Sequence, residues 1–144
     1  MSKKTIELTK RFDAPAAVLF GAIKDGQLLK STGVKPDSFK HDFRVGGAFS
    51  LEWSCKEGSA CSGRYLEITP NQQVKFTWNS TGCEGATKEE TIVTVTLKDH
   101  GKKTEMKLTH EGLITGISAD DHLAGWTSSL DHFLTEIQRL AGIS

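Results

Sequence analysis

Apolar side chains recur at every second residue from 38 to about 111, and then at every third or fourth residue from 118 to 141. In the first stretch Phe39, His41 and Phe43 share one parity, as do Phe49, Leu51 and Trp53, and Val74, Phe76 and Trp78. Val93, Val95 and Leu97 continue the pattern, followed by Met106, Leu108 and His110. Successive side chains of a strand point to opposite faces, so each group marks one buried face. In the second stretch Ala119, Leu123, Trp126, Leu130, Phe133, Leu134, Ile137 and Leu140 form a stripe at helical spacing. At 1.5 Å per residue that helix is roughly 35 Å long. No other helical pattern in the chain is long enough to cover it, so the strands must. Ser118 with Asp121 three residues on has the form of a capping box, and Gly142 stands where helices commonly end. Gly125 costs the helix roughly 1 kcal/mol relative to alanine, which predicts a strand or loop passing close to it.

Ile6, Leu8 and Phe12 alternate with polar residues as a first strand does. Pro15 suits the first turn of a helix in which Leu19, Ala22 and Ile23 recur until Asp25-Gly26, and a short second turn follows around Leu28 and Leu29. Turn signals at Gly46-Gly47, Glu57-Gly58-Ser59, Pro70-Asn71, Gly82 to Gly85 and Asp99-His100-Gly101 join the strands as antiparallel hairpins. The expected architecture is α+β, a curved antiparallel sheet of about six to seven strands around one long C-terminal helix. A short helical pair follows strand 1, and a single domain spans residues 1–144. A strongly twisted sheet does not close tightly along its full length, so a hydrophobic pocket between sheet and helix is expected.

Composition narrows the partners. Eighteen basic and eighteen acidic residues cancel, which removes the electrostatic footprint of a nucleic-acid binder. There is no apolar segment of spanning length and no export signal, so the expected protein is cytoplasmic. Cys55, Cys61 and Cys83 are an odd number and are expected as free thiols.

Five stretches together resemble one family: "FDAPAAVLFGAI", "DFRVGGAFSLEW", "SGRYLEITPNQQVKFTW", "TIVTVTLKDHGKKTEMKLTHEGL" and "GWTSSLDHFL", in that order. The chain is similar over nearly its whole length to the START-like (SRPBCC) superfamily, in the branch of the C-terminal domain of the heat-shock protein 90 ATPase activator. The resemblance implies a helix-grip fold and a central cavity that in relatives takes lipids, sterols, polyketides or other apolar ligands. It also implies a possible chaperone partner and a place in the stress response. Relatives often carry a tryptophan pair after the first helix, where this chain has Gln27-Leu28-Leu29-Lys30-Ser31. The eukaryotic activators carry a further N-terminal domain, for which 144 residues leave no room.

The expected function is non-enzymatic binding of a small hydrophobic or amphipathic ligand, by a monomer or homodimer that needs no cofactor and no metal. Trp53, Phe76, Trp78, Met106, Leu108, Leu123, Trp126, Leu130 and Phe133 are the expected lining, and His110 its polar anchor. The competing reading of His110 is a core histidine, since buried polar groups are normally paired. His41 shares an inward parity and is a second candidate anchor. A chaperone-interaction module and a cyclase- or hydrolase-like enzyme are the alternatives, the enzyme drawing on His110, Tyr65 and Glu67. Tyr65 and Arg64 lie on opposite faces of one strand, and if Tyr65 faces inward parity carries Glu67 in with it. With Trp126 at zero and 100° per residue, His122 falls at about −40° and His132 at about −120°, roughly 15 Å apart along the axis. They cannot act together. His122 sits at the edge of the stripe, and His132 is expected in solvent. Cys55 and Cys61 flank a turn but lack the histidine spacing of a metal site, and Gly101-Lys102-Lys103-Thr104 is a hairpin turn.

Overall fold

A computed structural model describes residues 3–54, 57–82, 86–87 and 89–142. Cys55 and Cys83, and with them the expected approach of Cys55 to Cys61, lie outside the described residues. Strand β1 (Lys3–Phe12) leads into helices α1 (Ala16–Lys24) and α2 (Gln27–Lys30). Six strands follow: β2 (Lys40–His41), β3 (Ala48–Glu52), β4 (Ala60–Thr69), β5 (Gln73–Thr81), β6 (Thr91–Asp99) and β7 (Thr104–Ile114). The chain closes on α3 (Ile117–Leu140). The strands form one antiparallel seven-stranded sheet in the order β1-β7-β6-β5-β4-β3-β2. The α+β architecture read from the two periods is the one observed.

Only β1 departs from neighbour-to-neighbour order, pairing β7 so that the first and last strands lie side by side. The inner parity is the predicted one: Phe49, Leu51, Val74, Phe76, Trp78, Val93, Val95, Met106 and Leu108 are buried, against Ala119, Trp126, Leu130, Phe133 and Ile137 of α3. Phe12 meets Phe133 edge to face, with ring centroids 5.7 Å apart.

Three local expectations fail for identifiable reasons. First, α3 begins two residues earlier than the Ser118–Asp121 pattern implies, with Gly116 as its N-cap, so Ser118 already lies inside the helix rather than at its cap. Gly142 does terminate it, in the left-handed region at φ 74°. Second, nothing lies within 4 Å of where a Gly125 side chain would begin, so no strand or loop passes there. Third, β4 carries a β-bulge: Tyr65 faces Phe76 and Glu67 faces Lys75, two steps on β4 against one on β5. The extra residue resets the parity. Tyr65 is buried while Glu67 is exposed and accepts from Gln73 Nε2 at 2.7 Å.

Candidate functional site

The helix–sheet interior has two ends of different character. At the α3 end, Trp78 of β5 stacks on Trp126 at 5.0 Å and on Trp53 at 5.9 Å between centroids. His110 of β7 lies against Trp78 at 5.7 Å, and His122 of α3 closes the group at 5.0 Å from His110. The hydrogen bonds fix the tautomers. Thr91 Oγ1 donates to the Trp78 carbonyl at 2.7 Å, so at 2.7 Å from His110 Nε2 it accepts that proton, while His110 Nδ1 accepts from Trp126 Nε1 at 3.1 Å. His122 Nε2 accepts from Trp78 Nε1 at 3.2 Å and its Nδ1 donates to the Ser118 carbonyl at 2.7 Å. Both rings are neutral with both nitrogens used.

Burial, and secondarily His122, push the His110 imidazole down to about 3. Burial also lowers His122, against the opposing pull of the Ser118 carbonyl and the Asp121 carboxylate. His110 is therefore a satisfied core histidine, with no free nitrogen for a ligand head group or a proton transfer. Phe76, Trp78, Met106, Leu108, His110, Trp126, Leu130 and Phe133 are packed among themselves; Met106, Leu108, His110 and Phe133 are wholly buried. Eight of the ten expected lining residues thus pack against one another in this structure. Trp53 is half-buried, its Nε1 donating to Thr32 Oγ1 at 2.9 Å. Leu123 is 37% exposed on the outer side of α3, because His122, nearer Trp126 in direction, takes the inward place as acceptor for Trp78.

The other end lies where the sheet's free edge meets the helical pair. His41 on β2 sits opposite Phe49, on the inner face, within ring contact of Phe39 at 4.9 Å, Phe43 at 5.9 Å and Tyr65 at 5.9 Å. Phe20 of α1 meets Phe43 edge to face at 5.9 Å. Phe20, Phe39, His41 and Phe43 are only half-buried. Phe39 lies so close over Gly26 that a Cβ there would stand 2.6 Å from the ring, and Gly26 has φ 84°, so glycine is required twice over. His41 Nδ1 and the Tyr65 hydroxyl are 2.8 Å apart. Tyr65 is buried and has no other partner among the described residues. Its hydroxyl hydrogen is therefore placed on Nδ1, which leaves the other proton on His41 Nε2. That Nε2–H has no partner among the described residues. Burial, then the Lys30 ammonium, lower the His41 pKa, while Asp25 and Asp42 oppose them; burial raises that of Tyr65.

The three catalytic candidates do not converge, since His110 is sealed, Tyr65 serves His41, and Glu67 is on the outer face. His132 is exposed, as expected, on a groove of about 430 Å³ between α2 and α3 that Gly125 also borders. No group of three or more histidine, cysteine or acidic side chains suited to a metal occurs among the described residues. Sequence parity placed His41 inward, left the choice between Tyr65 and Arg64 open, and gave no sign of the His41–Tyr65 pairing. The His110–His122 pair was missed because a helix and a strand 12 residues apart in sequence give no joint signal.

A curved sheet gripping one long helix, with one packed end and one aromatic corner left half-open, defines a helix-grip domain of the START-like type. The chain belongs to the family of Activator of Hsp90 ATPase homolog 1-like proteins, whose model matches residues 13–138. Solved structures similar to it include Mll3558 from Rhizobium loti, at TM-score 0.80 and 23% identity, over 94% of this chain and 97% of that one. CV1439 from Chromobacterium violaceum is similar at TM-score 0.76 and 26% identity, over 93% and 96%. PFC0360w, described as an HSP90 activator from Plasmodium falciparum, is similar at TM-score 0.72 and 26% identity, over 97% of each chain. No curated protein matches the sequence. No helix among the described residues is long and apolar enough to cross a membrane.

Proposed function

We propose that this domain binds a small amphipathic molecule at the half-open corner of its helix–sheet interior, without transforming it. The observation that carries the reading is His41: one nitrogen is held by a buried tyrosine, the other is unpartnered, and half-buried phenyl rings surround it. A mostly apolar surface with a single oriented polar group is the usual make-up of a small-molecule site. The packed tryptophan–histidine end then serves as the rigid floor on which the corner is held. Phe76, whose ring lies 6.1 Å from that of Tyr65, is the residue of the expected lining that stands next to this corner.

The test is fluorescence titration with N-phenyl-1-naphthylamine, alongside native mass spectrometry of the purified protein. One probe per chain is expected to bind, with Phe43→Ser weakening it at least about fivefold, the scale of about 1 kcal/mol of lost apolar contact. Leu123→Ser, on the outer side of α3, leaves it unchanged. Absence of probe binding together with a mass spectrum of bare protein overturns the reading.

A chaperone-directed role is the second reading, favoured by the similarity over 97% of each chain to the Plasmodium falciparum protein described as an HSP90 activator. Stimulation of the ATPase of a heat-shock protein 90 by the purified chain supports it. No change in that ATPase at saturating protein rules it out.

A further inference from the structure

We propose that the corner selects planar aromatic anions, with the Lys30 ammonium and the His41 Nε2–H as the two groups that read the negative end; this rests on the ligand-binding reading above. Lys30 closes α2, and its Nζ stands 5.6 Å from the centroid of Phe39, the ring that in turn stacks 4.9 Å from His41. An ammonium thus stands over the same ring that packs against the imidazole. Among the described residues Lys30 has no carboxylate within ion-pair distance. Two acids also face His41. Asp42 is paired with Arg44 in an exposed ion pair, and its pull on the imidazole is the weakest of the charges acting there. Asp25 acts on the imidazole less strongly than Lys30 does.

His41 supplies the second half. Because the buried Tyr65 hydroxyl spends its hydrogen on Nδ1, the open nitrogen carries a proton and donates. A donor and an ammonium at one mouth favour an acceptor that bears charge, and donors to charged acceptors make the stronger bonds. The walls set the shape. Phe20, Phe39 and Phe43 offer edges and faces to a flat ring system. The chemical class is an aryl carboxylate, aryl sulfonate or phenolate.

Two probes of nearly the same skeleton separate charge from apolar contact. 8-Anilino-1-naphthalenesulfonate carries the anion and N-phenyl-1-naphthylamine does not, and both are titrated into wild-type protein, Lys30→Gln and Lys30→Arg. The expected result is tighter binding of the sulfonate in the wild type, by about fivefold, the scale of one solvent-facing ion pair. K30Q lowers the sulfonate affinity about fivefold more than that of the neutral probe, and K30R restores the difference. Rising salt erases the preference in the wild type. If the neutral probe binds and the sulfonate is no tighter, or K30Q leaves their ratio unchanged, the anion preference is overturned and the binding reading stands. If neither probe binds, both fall.

Discussion

What separates His41 from His110 is whether the structure has already spent both ring nitrogens. His110 gives one to Thr91 and takes a proton from Trp126 on the other, at full burial. The cost of disturbing each network should differ accordingly. Thr91→Val keeps the shape of the side chain but strips His110 of an acceptor and the Trp78 carbonyl of a donor, both out of reach of water. Burying polar groups without partners costs about 1–3 kcal/mol, so the loss should be about 2 kcal/mol. Tyr65→Phe removes a bond to a half-buried imidazole that water can serve instead. About 1 kcal/mol or less is expected there. Urea midpoints at unchanged m-value measure both, and equal losses would mean that water reaches His110.

At the scale of elements, α3 shows how far periodicity can be trusted. It correctly assigned Trp126, Leu130, Phe133 and Ile137 to the buried face. It misassigned Leu123 because a hydrophobic pattern weighs leucine above histidine, whereas the indole N–H of Trp78 needs an acceptor and only His122 supplies one. Glu67 was misread for a different reason. Parity propagates along a strand only while the register is unbroken, and the bulge after Tyr65 has no residue signature in "GRYLEIT". The sheet, the long helix and the helical pair were legible because each is specified many times over by repeated apolar spacing. The site was not, because His41, Tyr65, Phe20 and Lys30 meet only after α1, α2, β2 and β4 assemble. Gly125 offers a direct check on α3. Its backbone is ordinary helix and the space beside it is empty, so Gly125→Ala should stabilise the domain by about 0.5–1 kcal/mol through helix propensity alone. A rise in thermal midpoint measures it; destabilisation would mean that the bare backbone there is in use.

The molecule as a whole should be acid-sensitive in a way that its balanced charge does not suggest. His41, His110 and His122 all have folded pKa values below the ordinary 6.5, chiefly through burial. Between the folded and unfolded values the unfolded chain holds a proton that the folded chain refuses, so stability rises with pH there and is lost as pH falls. For His110 that window runs from 6.5 down to about 3. Each pH unit inside it costs about 1.4 kcal/mol, so His110 alone removes about 2 kcal/mol between pH 6.5 and 5. His122 adds to this in the same direction. That is a sizeable part of the 5–15 kcal/mol typical of a domain. Protonating His122 also abolishes the acceptor for Trp78 and loosens the first turns of α3 from β5. Urea unfolding at pH 7, 6 and 5 should therefore show falling stability with an uptake of at least about one proton per unfolding event at pH 5. Tryptophan emission should shift before the far-ultraviolet circular dichroism does, since Trp78 and Trp126 sit at the yielding contact. Stability that stays flat from pH 7 to 5 would show that the two rings take up protons without unfolding, and that the packed end is open to water.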